Sequence, residues 1–417
     1  MKKYLIIALA AIAAMACTKV ESIDSTPDNP IRFAVVNRLQ QQTKATTGLV
    51  YPTDVPFGTF AWWTENDWTG IAADQNYLFM DNEQVSYQTV GTTHFWAPST
   101  TYYWTKSGKL TFASYSPYVN AETKASKGFS AIPSYNITNG FLFTNYTVVD
   151  NTDVDLMYAN LAANCTQNSN NTGSLVYDGT TTGENPTDHG YKGVPTIFNH
   201  ALCRLGFEFR ALGIPNPNVD KIKIELTGVS ISNIDKTGSF TQIPAEVNSV
   251  TPPCWSTVHS PVAPATLAAY DFSPATPIVM DVELDDQTNR ASVTYTHTGV
   301  YRILLPQALQ DDDDPDDPTV DPIATTTDQK LVITYNIKSH YKNTAENVWA
   351  TESDVTSTIR LYKGNITNWK DNQNITYRIT INPYATTAIT FDPAVVDWST
   401  PGVNSNDIVV IPDVTTE

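Results

Sequence analysis

The sequence predicts a mainly β protein assembled from β-sandwiches, and three observations carry that expectation. Short segments alternate apolar and polar residues along the whole 417-residue chain, which is the period of a half-buried strand. Proline at 26 and tyrosine at 21 residues, with abundant Thr and Asn, favour strands and turns over helices. No segment carries a long helical stripe; one helical turn is expected at Ala159–Ala163. A chain of this length suggests two or three domains.

Taken in order, the first strand is Ile31-Arg32-Phe33-Ala34-Val35-Val36, with Ile31, Phe33 and Val35 on one side. A polar stretch from Asn37 to Thr47 follows it. That stretch carries Arg38 and Lys44 with nothing to bury, so a trypsin-like protease could cut there and separate the strand from the body. Phe57–Trp63 is apolar and aromatic. Tyr102–Trp104 and Leu110–Tyr115 read as a hairpin around Ser107-Gly108. Asp155–Ala159 is a short buried element, and Asn164–Gly190 a long Asn/Thr/Gly-rich loop that marks the internal boundary.

The second half opens with Phe198–Phe209, read as one half-buried strand that makes Cys203 a small core residue. Ile222, Ile224 and Leu226 alternate with Lys221, Lys223 and Glu225 in another, and Lys236-Thr237-Gly238 signals a tight turn. Val300–Leu305, Leu331–Ile337, Thr376–Ile381 and Ile389–Phe391 are further strands.

The beginning of the chain has a separate logic. Lys2 and Lys3 precede an apolar run from Tyr4 to Met15, then Ala16 and Cys17. A charged start, a short apolar middle and a small residue before a cysteine describe an export signal of the lipoprotein type, with Cys17 as the lipidated first residue. The run is short of the roughly 20 residues a membrane span needs. Residues 18–30 form a polar tether.

Charge and motifs exclude several classes. Charged residues make up 16% of the chain and the net charge is -18, which repels phosphate backbones and argues against nucleic-acid binding. It also leaves lipid on Cys17 as the expected membrane contact. Beyond Cys17 the cysteines are Cys165, Cys203 and Cys254, an odd number, with a Cys165–Cys254 bridge as one open possibility. The acidic run Asp311–Asp317 lacks the ligand alternation and central glycine of a calcium loop and reads as a solvated loop. The six histidines show no metal-ligand spacing, and His200 reads as a structural hydrogen-bonding residue. No nucleophile elbow or phosphate loop occurs, so no catalytic, metal or cofactor site is expected and the chain reads as a non-enzyme. Trp62, Trp63, Trp68, Trp96 and Trp104 raise the idea of a sugar-stacking platform, with Trp68 the better surface candidate.

Several stretches in order resemble the fimbrillin family of Bacteroidales, the Mfa-like and FimA-like subunits of type V pili. They are Phe57-Gly58-Thr59-Phe60-Ala61-Trp62, Tyr103-Trp104 with Lys109–Pro117, Asp155-Leu156-Met157-Tyr158-Ala159, Phe198–Phe207, Leu304-Leu305-Pro306-Gln307, and Tyr377–Ile381 with Val396-Asp397-Trp398. Each motif is weak alone; order and spacing make the set specific. In one place the sequence departs. The family usually carries arginine after the first strand, and Thr43-Lys44-Ala45 has lysine.

The resemblance implies two transthyretin-like β-sandwich domains in tandem and a precursor in five parts. These are a signal peptide (1–16), a tether with a removable first strand (17–44), an N-terminal domain (45–190), a C-terminal domain (191–398) and an extension (399–417). It further implies a diacylglycerol- and palmitate-bearing Cys17 in the outer membrane, cleavage at Lys44 or Arg38, and removal of the strand containing Ile31, Phe33 and Val35. The tail of another subunit, with Ile408, Val409, Val410 and Ile411 as candidate donor strand, would then take its place in an adhesive fimbrium. The partners expected are other fimbrial subunits, outer-membrane lipid and a host or bacterial surface ligand. The competing expectation is a surface lipoprotein or pilus-tip module that recognises glycan or host protein; the apolar run at Ile408–Ile411 favours a polymerising subunit.

Overall fold

A computed structural model describes residues 25–37, 51–68, 77–91, 93–136, 139–149, 154–166, 193–213, 218–242, 254–256, 267–284, 290–291, 295–309, 329–361, 368–382 and 389–397. Cys17, Arg38, Lys44, Asp311–Asp317 and Ile408–Ile411 lie outside these residues. Most of the described residues are strand, with one 3-10 turn at Ala125–Lys127 and no α-helix among them. The mainly β expectation holds.

The first half contributes β1 (Ser25–Pro30), β2 (Phe33–Asn37), β3 (Phe57–Thr64), β4 (Tyr77–Val90), β5 (Thr93–Pro98), β6 (Tyr103–Thr105), β7 (Lys109–Ser116), β8 (Ser134–Asn136), β9 (Gly140–Thr147), β10 (Met157–Ala159), β11 (Ala162–Cys165) and β12 (Val194–His200). Followed through its hydrogen bonds, the main sheet returns to its start: β10, β12, β2, β5, β4, β3, β7 and again β10, with β11 added on β7. Inside it lies a core of Ile31, Phe33, Val35, Phe57, Trp96, Phe112 and their neighbours. β12 begins more than 25 residues after β11, beyond the boundary expected from sequence, yet it pairs with β2 and β10 of this sheet.

The second half contributes β13 (Cys203–Gly213), β14 (Val219–Asp235), β15 (Thr237–Thr241), β16 (Trp255–Ser256), β17 (Leu267–Asp271), β18 (Ile278–Glu283), β19 (Arg290–Ala291), β20 (Thr296–Leu304), β21 (Gln307–Ala308), β22 (Lys330–Tyr341), β23 (Ala350–Arg360), β24 (Asn368–Trp369), β25 (Gln373–Ile381) and β26 (Ile389–Asp397). One sheet carries β13, β25 and β26 with β19 and β20; the other carries β14, β22 and β23 with β17 and β18. Both send side chains into one core. Leu205, Phe207 and Phe209 of β13 meet Ile222, Ile224 and Leu226 of β14, while Lys221, Lys223 and Glu225 point away, as the alternation predicts.

A third sheet, β16, β15, β9 and β8, joins the halves. β15 pairs with β9, so a strand from the second half completes a sheet begun in the first. Phe240 of β15 stacks on Phe143 of β9 at 5.3 Å, in an aromatic cluster with Tyr115, Phe141, Tyr146 and Trp255.

Six local expectations fail. Ser25–Pro30, read as part of the polar tether, is the strand β1, which pairs with β6, and Asn164-Cys165, read as the start of the boundary loop, end the strand β11. Phe198–Phe209 is two strands, β12 and β13, which turn at Ala201-Leu202 from one sheet into another and are buried through the corner. Tyr102–Trp104 and Leu110–Tyr115 flank a turn with Gly108 at φ 75, but β6 pairs with β1 and β7 with β3, β10 and β11, so they form no hairpin. Lys236-Thr237-Gly238 carries the chain from β14 into β15 rather than folding it back, because β15 finds its partners in β9 and β16. Ala159–Ala163 runs from strand into strand, not into a helical turn.

Candidate functional site

The position of β2 is the feature with functional content. Its alternation is the one read from sequence: Ile31, Phe33 and Val35 are buried, and Phe33 lies edge-on to Phe57 at 5.5 Å and to Phe112 at 5.6 Å. Each such side chain contributes roughly 1.5–3 kcal/mol by leaving water. β2 runs parallel to β12 through five residue pairs, from Phe33 with Val194 to Asn37 with Phe198, and the Val194 N–H donates to the Arg32 carbonyl at 2.7 Å. Across from β12 it meets β5 at one pair, Phe33 with Trp96. Just before β2, the Ile31 N–H donates to the Tyr102 carbonyl at 2.8 Å, and the Arg32 guanidinium lies 4.1 Å over the Phe95 ring.

The seat around β2 is aromatic. Tyr51 stacks on Phe198 at 4.8 Å and meets Trp96 at 5.3 Å, while its hydroxyl exchanges a 2.7 Å hydrogen bond with Ser116. Burial pushes the Tyr51 phenol well above its ordinary range, so it stays neutral. Gly193 lets the strands close: a Cβ there would fall 2.5 Å from the Arg32 carbonyl oxygen. Without β2, the β12 backbone groups that bond it would face an apolar groove with no partner, an arrangement that favours capture of another strand. Tyr51, Gly193 and Phe198 were not singled out as a site from sequence, and Trp96 only among the candidate stacking tryptophans, because this seat comes together only in the closed sheet around β2.

The remaining candidates separate. Trp62 is buried in the junction cluster against Trp68 and Tyr135; Trp96 and Trp104 are buried in the first core. Trp63 packs on Tyr77 and donates its indole N–H to the Ser107 carbonyl. Trp62, Trp96 and Trp104 are therefore core residues, while Trp63 and Trp68 are half-buried and pack against the two cores. His200 has Nδ1 2.6 Å from an Asp155 carboxylate oxygen, a structural pairing. His340 is buried with Nδ1 2.6 Å from Asp220 and Nε2 3.1 Å from the Ala345 carbonyl. His189 and His259 lie outside the described residues.

Cys165, Cys203 and Cys254 form no disulfide, so Cys165 and Cys254 are not bridged. Burial pushes Cys165 and Cys254 up to about 12 and Cys203 higher still, which leaves them inert as nucleophiles. Among the described residues, no group of three or more His, Cys, Asp and Glu could hold a metal ion, and no helix is long and apolar enough to cross a membrane.

A model of the fimbrillin-like family matches residues 43–398. This chain belongs to that family. Among solved structures, this fimbrillin is similar to a fimbrial protein from Bacteroides vulgatus, at 16% identity and a TM-score of 0.51, over 88% of this chain and 99% of that one. It also matches the tip fimbrial protein Mfa3 from Porphyromonas gingivalis, solved with a C-terminal truncation, at 9% identity and a TM-score of 0.30, over 88% of this chain and 100% of that one. The first of these likenesses is one of fold. No curated protein matches the chain. Family membership supports a subunit role at the cell surface, in contact with other fimbrial subunits, rather than catalysis.

Proposed function

We propose that this fimbrillin is a structural subunit of a type V pilus, exported as a lipoprotein on Cys17 and polymerised by replacement of β2. A protease cuts at Lys44 or Arg38, β2 leaves with the released segment, and the tail of a neighbouring subunit, around Ile408–Ile411, fills the place between β12 and β5. The observation that carries this reading is the position of β2. It precedes both basic residues in the chain, yet it sits inside the first sheet with Ile31, Phe33 and Val35 in the core.

Several lines of support come together. A strand paired along one edge and at a single residue pair along the other is held less firmly than one bonded on both sides. The aromatic groups that line its seat all follow Lys44 in sequence, so a cut there leaves the seat in the mature chain. An open groove of that kind recruits a β-prone apolar segment by strand addition. The domain division proposed is 45–190 and 191–398, with β12 and β15 crossing between the sheets of the two parts.

The test is removal of the tail. Deletion of 406–417 leaves a folded monomer that cannot extend a polymer; SDS-resistant ladders on cells carrying the deletion would exclude the tail as donor.

A further inference from the structure

Resting on the strand replacement proposed above, we infer that the incoming tail runs parallel to β12 in one register: Ile408, Val410 and Pro412 take the places of Ile31, Phe33 and Val35. The geometry of β2 sets three demands on any replacement. Three side chains at alternate positions enter the core, so all three must be apolar. The intervening residues carry the bonds to β12, as the Arg32 carbonyl does with the Val194 N–H, so each of them needs its backbone groups. The inward residues direct their backbone toward β5, which is met only at Phe33 with Trp96, so the Ile31 and Val35 places can lack a bond to β5 without loss.

The tail reads Asp407-Ile408-Val409-Val410-Ile411-Pro412-Asp413-Val414. Turning Val409 and Ile411 inward puts Asp407 at the Ile31 place or Asp413 at the Val35 place, where a carboxylate would be desolvated with no partner. Placing Asn406, Ile408 and Val410 inward sets an amide at the Ile31 place. Placing Val410, Pro412 and Val414 inward puts proline, which has no N–H, at the Phe33 place, the one residue that pairs with β5. With Ile408, Val410 and Pro412 inward, all three groups are apolar, and the proline falls where β2 makes no pair with β5.

This register carries two mismatches that turn into tests. Val410 is smaller than Phe33, which is fully buried between Phe57 and Phe112, so it leaves part of the seat unfilled. Ile411 falls where β2 has the small, buried Ala34.

The experiment uses full-length protein on cells, reading SDS-resistant ladders and the rate at which isolated polymers dissociate in denaturant. Circular dichroism of the monomer shows that each variant folds. I408D and V410D each cut polymer yield about 100-fold, the scale expected for a carboxylate desolvated without a partner. V409D, at the place of the half-exposed Arg32, stays within about threefold of wild type, as an outward position does. V410F slows dissociation about tenfold by filling the Phe33 place, and I411A is neutral or slower. Loss with V409D, whether V410D is spared or lost with it, overturns the register and leaves strand replacement standing. Ladders that survive I408D, V409D and V410D, and also survive deletion of 406–417, overturn strand replacement by the tail itself.

Discussion

Phe33→Ala is the sharpest perturbation of the seat of β2 in the uncut chain. Phe33 is fully buried, with two edge-on ring contacts, and removing a buried ring of this kind costs about 3–5 kcal/mol. Its neighbour Arg32 makes a half-exposed contact with Phe95, so Arg32→Ala costs only about 0.5–1 kcal/mol. β2 is bonded along β12 but at one pair to β5, so it can detach before the rest of the ring melts. The assay is therefore hydrogen exchange at the Val194 amide, which donates to Arg32, alongside urea unfolding followed by tryptophan fluorescence. Phe33→Ala lowers protection at Val194 by at least two orders of magnitude, and Arg32→Ala by less than one. Equal, small effects from both would mean that β2 does not hold the seat described here, and the reasoning would fail.

Other consequences are independent of that one. Cys17→Ser abolishes detergent-phase partitioning of the exported protein, and unchanged partitioning removes the lipid anchor from the account. Phe240→Ala, which deletes a buried ring stacked on Phe143, costs about 3–5 kcal/mol and loosens the sheet joining the halves, seen as two separated unfolding transitions; a single unshifted transition contradicts the joint. The hydrogen bond that His340 donates to the Asp220 carboxylate raises the His340 pKa, with the Ala345 carbonyl adding to it, and the same bond lowers that of Asp220. The histidine's share of stability is therefore complete below its ordinary value of about 6.5 and fades as pH rises through the raised value. The aspartate's share is present above its ordinary value of about 3.9 and fades as pH falls through the lowered one. Asp220→Asn flattens the alkaline fall in urea-unfolding midpoint, and a midpoint curve identical to wild type contradicts the pairing.

Local alternation made much of the fold legible. Ile31, Phe33 and Val35, the Ile222–Leu226 stripe and the strands at Leu331 and Thr376 announce themselves because each has one face in a core. What alternation cannot reveal is which sheet a strand joins. Phe198–Phe209 looks continuous because both sides of the Ala201-Leu202 corner are buried, one segment in each half. Lys236-Thr237-Gly238 has turn chemistry, yet β15 continues outward because Phe240 finds Phe143 across the junction. The tryptophans suggested a surface for the same reason: aromatic residues on strands serve packing and recognition alike, and only the third dimension separates them. The seat of β2 was half legible, since the strand could be read from its own residues while its neighbour β12, more than 150 residues on, could not.

Intact mass and N-terminal sequence of subunits taken from assembled surface polymer test the central claim most directly. The account predicts a mature start at Ala45, or at Leu39 if the cut follows Arg38, with Ile31, Phe33 and Val35 gone from every polymerised subunit. Polymerised subunits that still carry residues 31–36 would contradict it, because β2 would then occupy the place the neighbouring tail is proposed to fill.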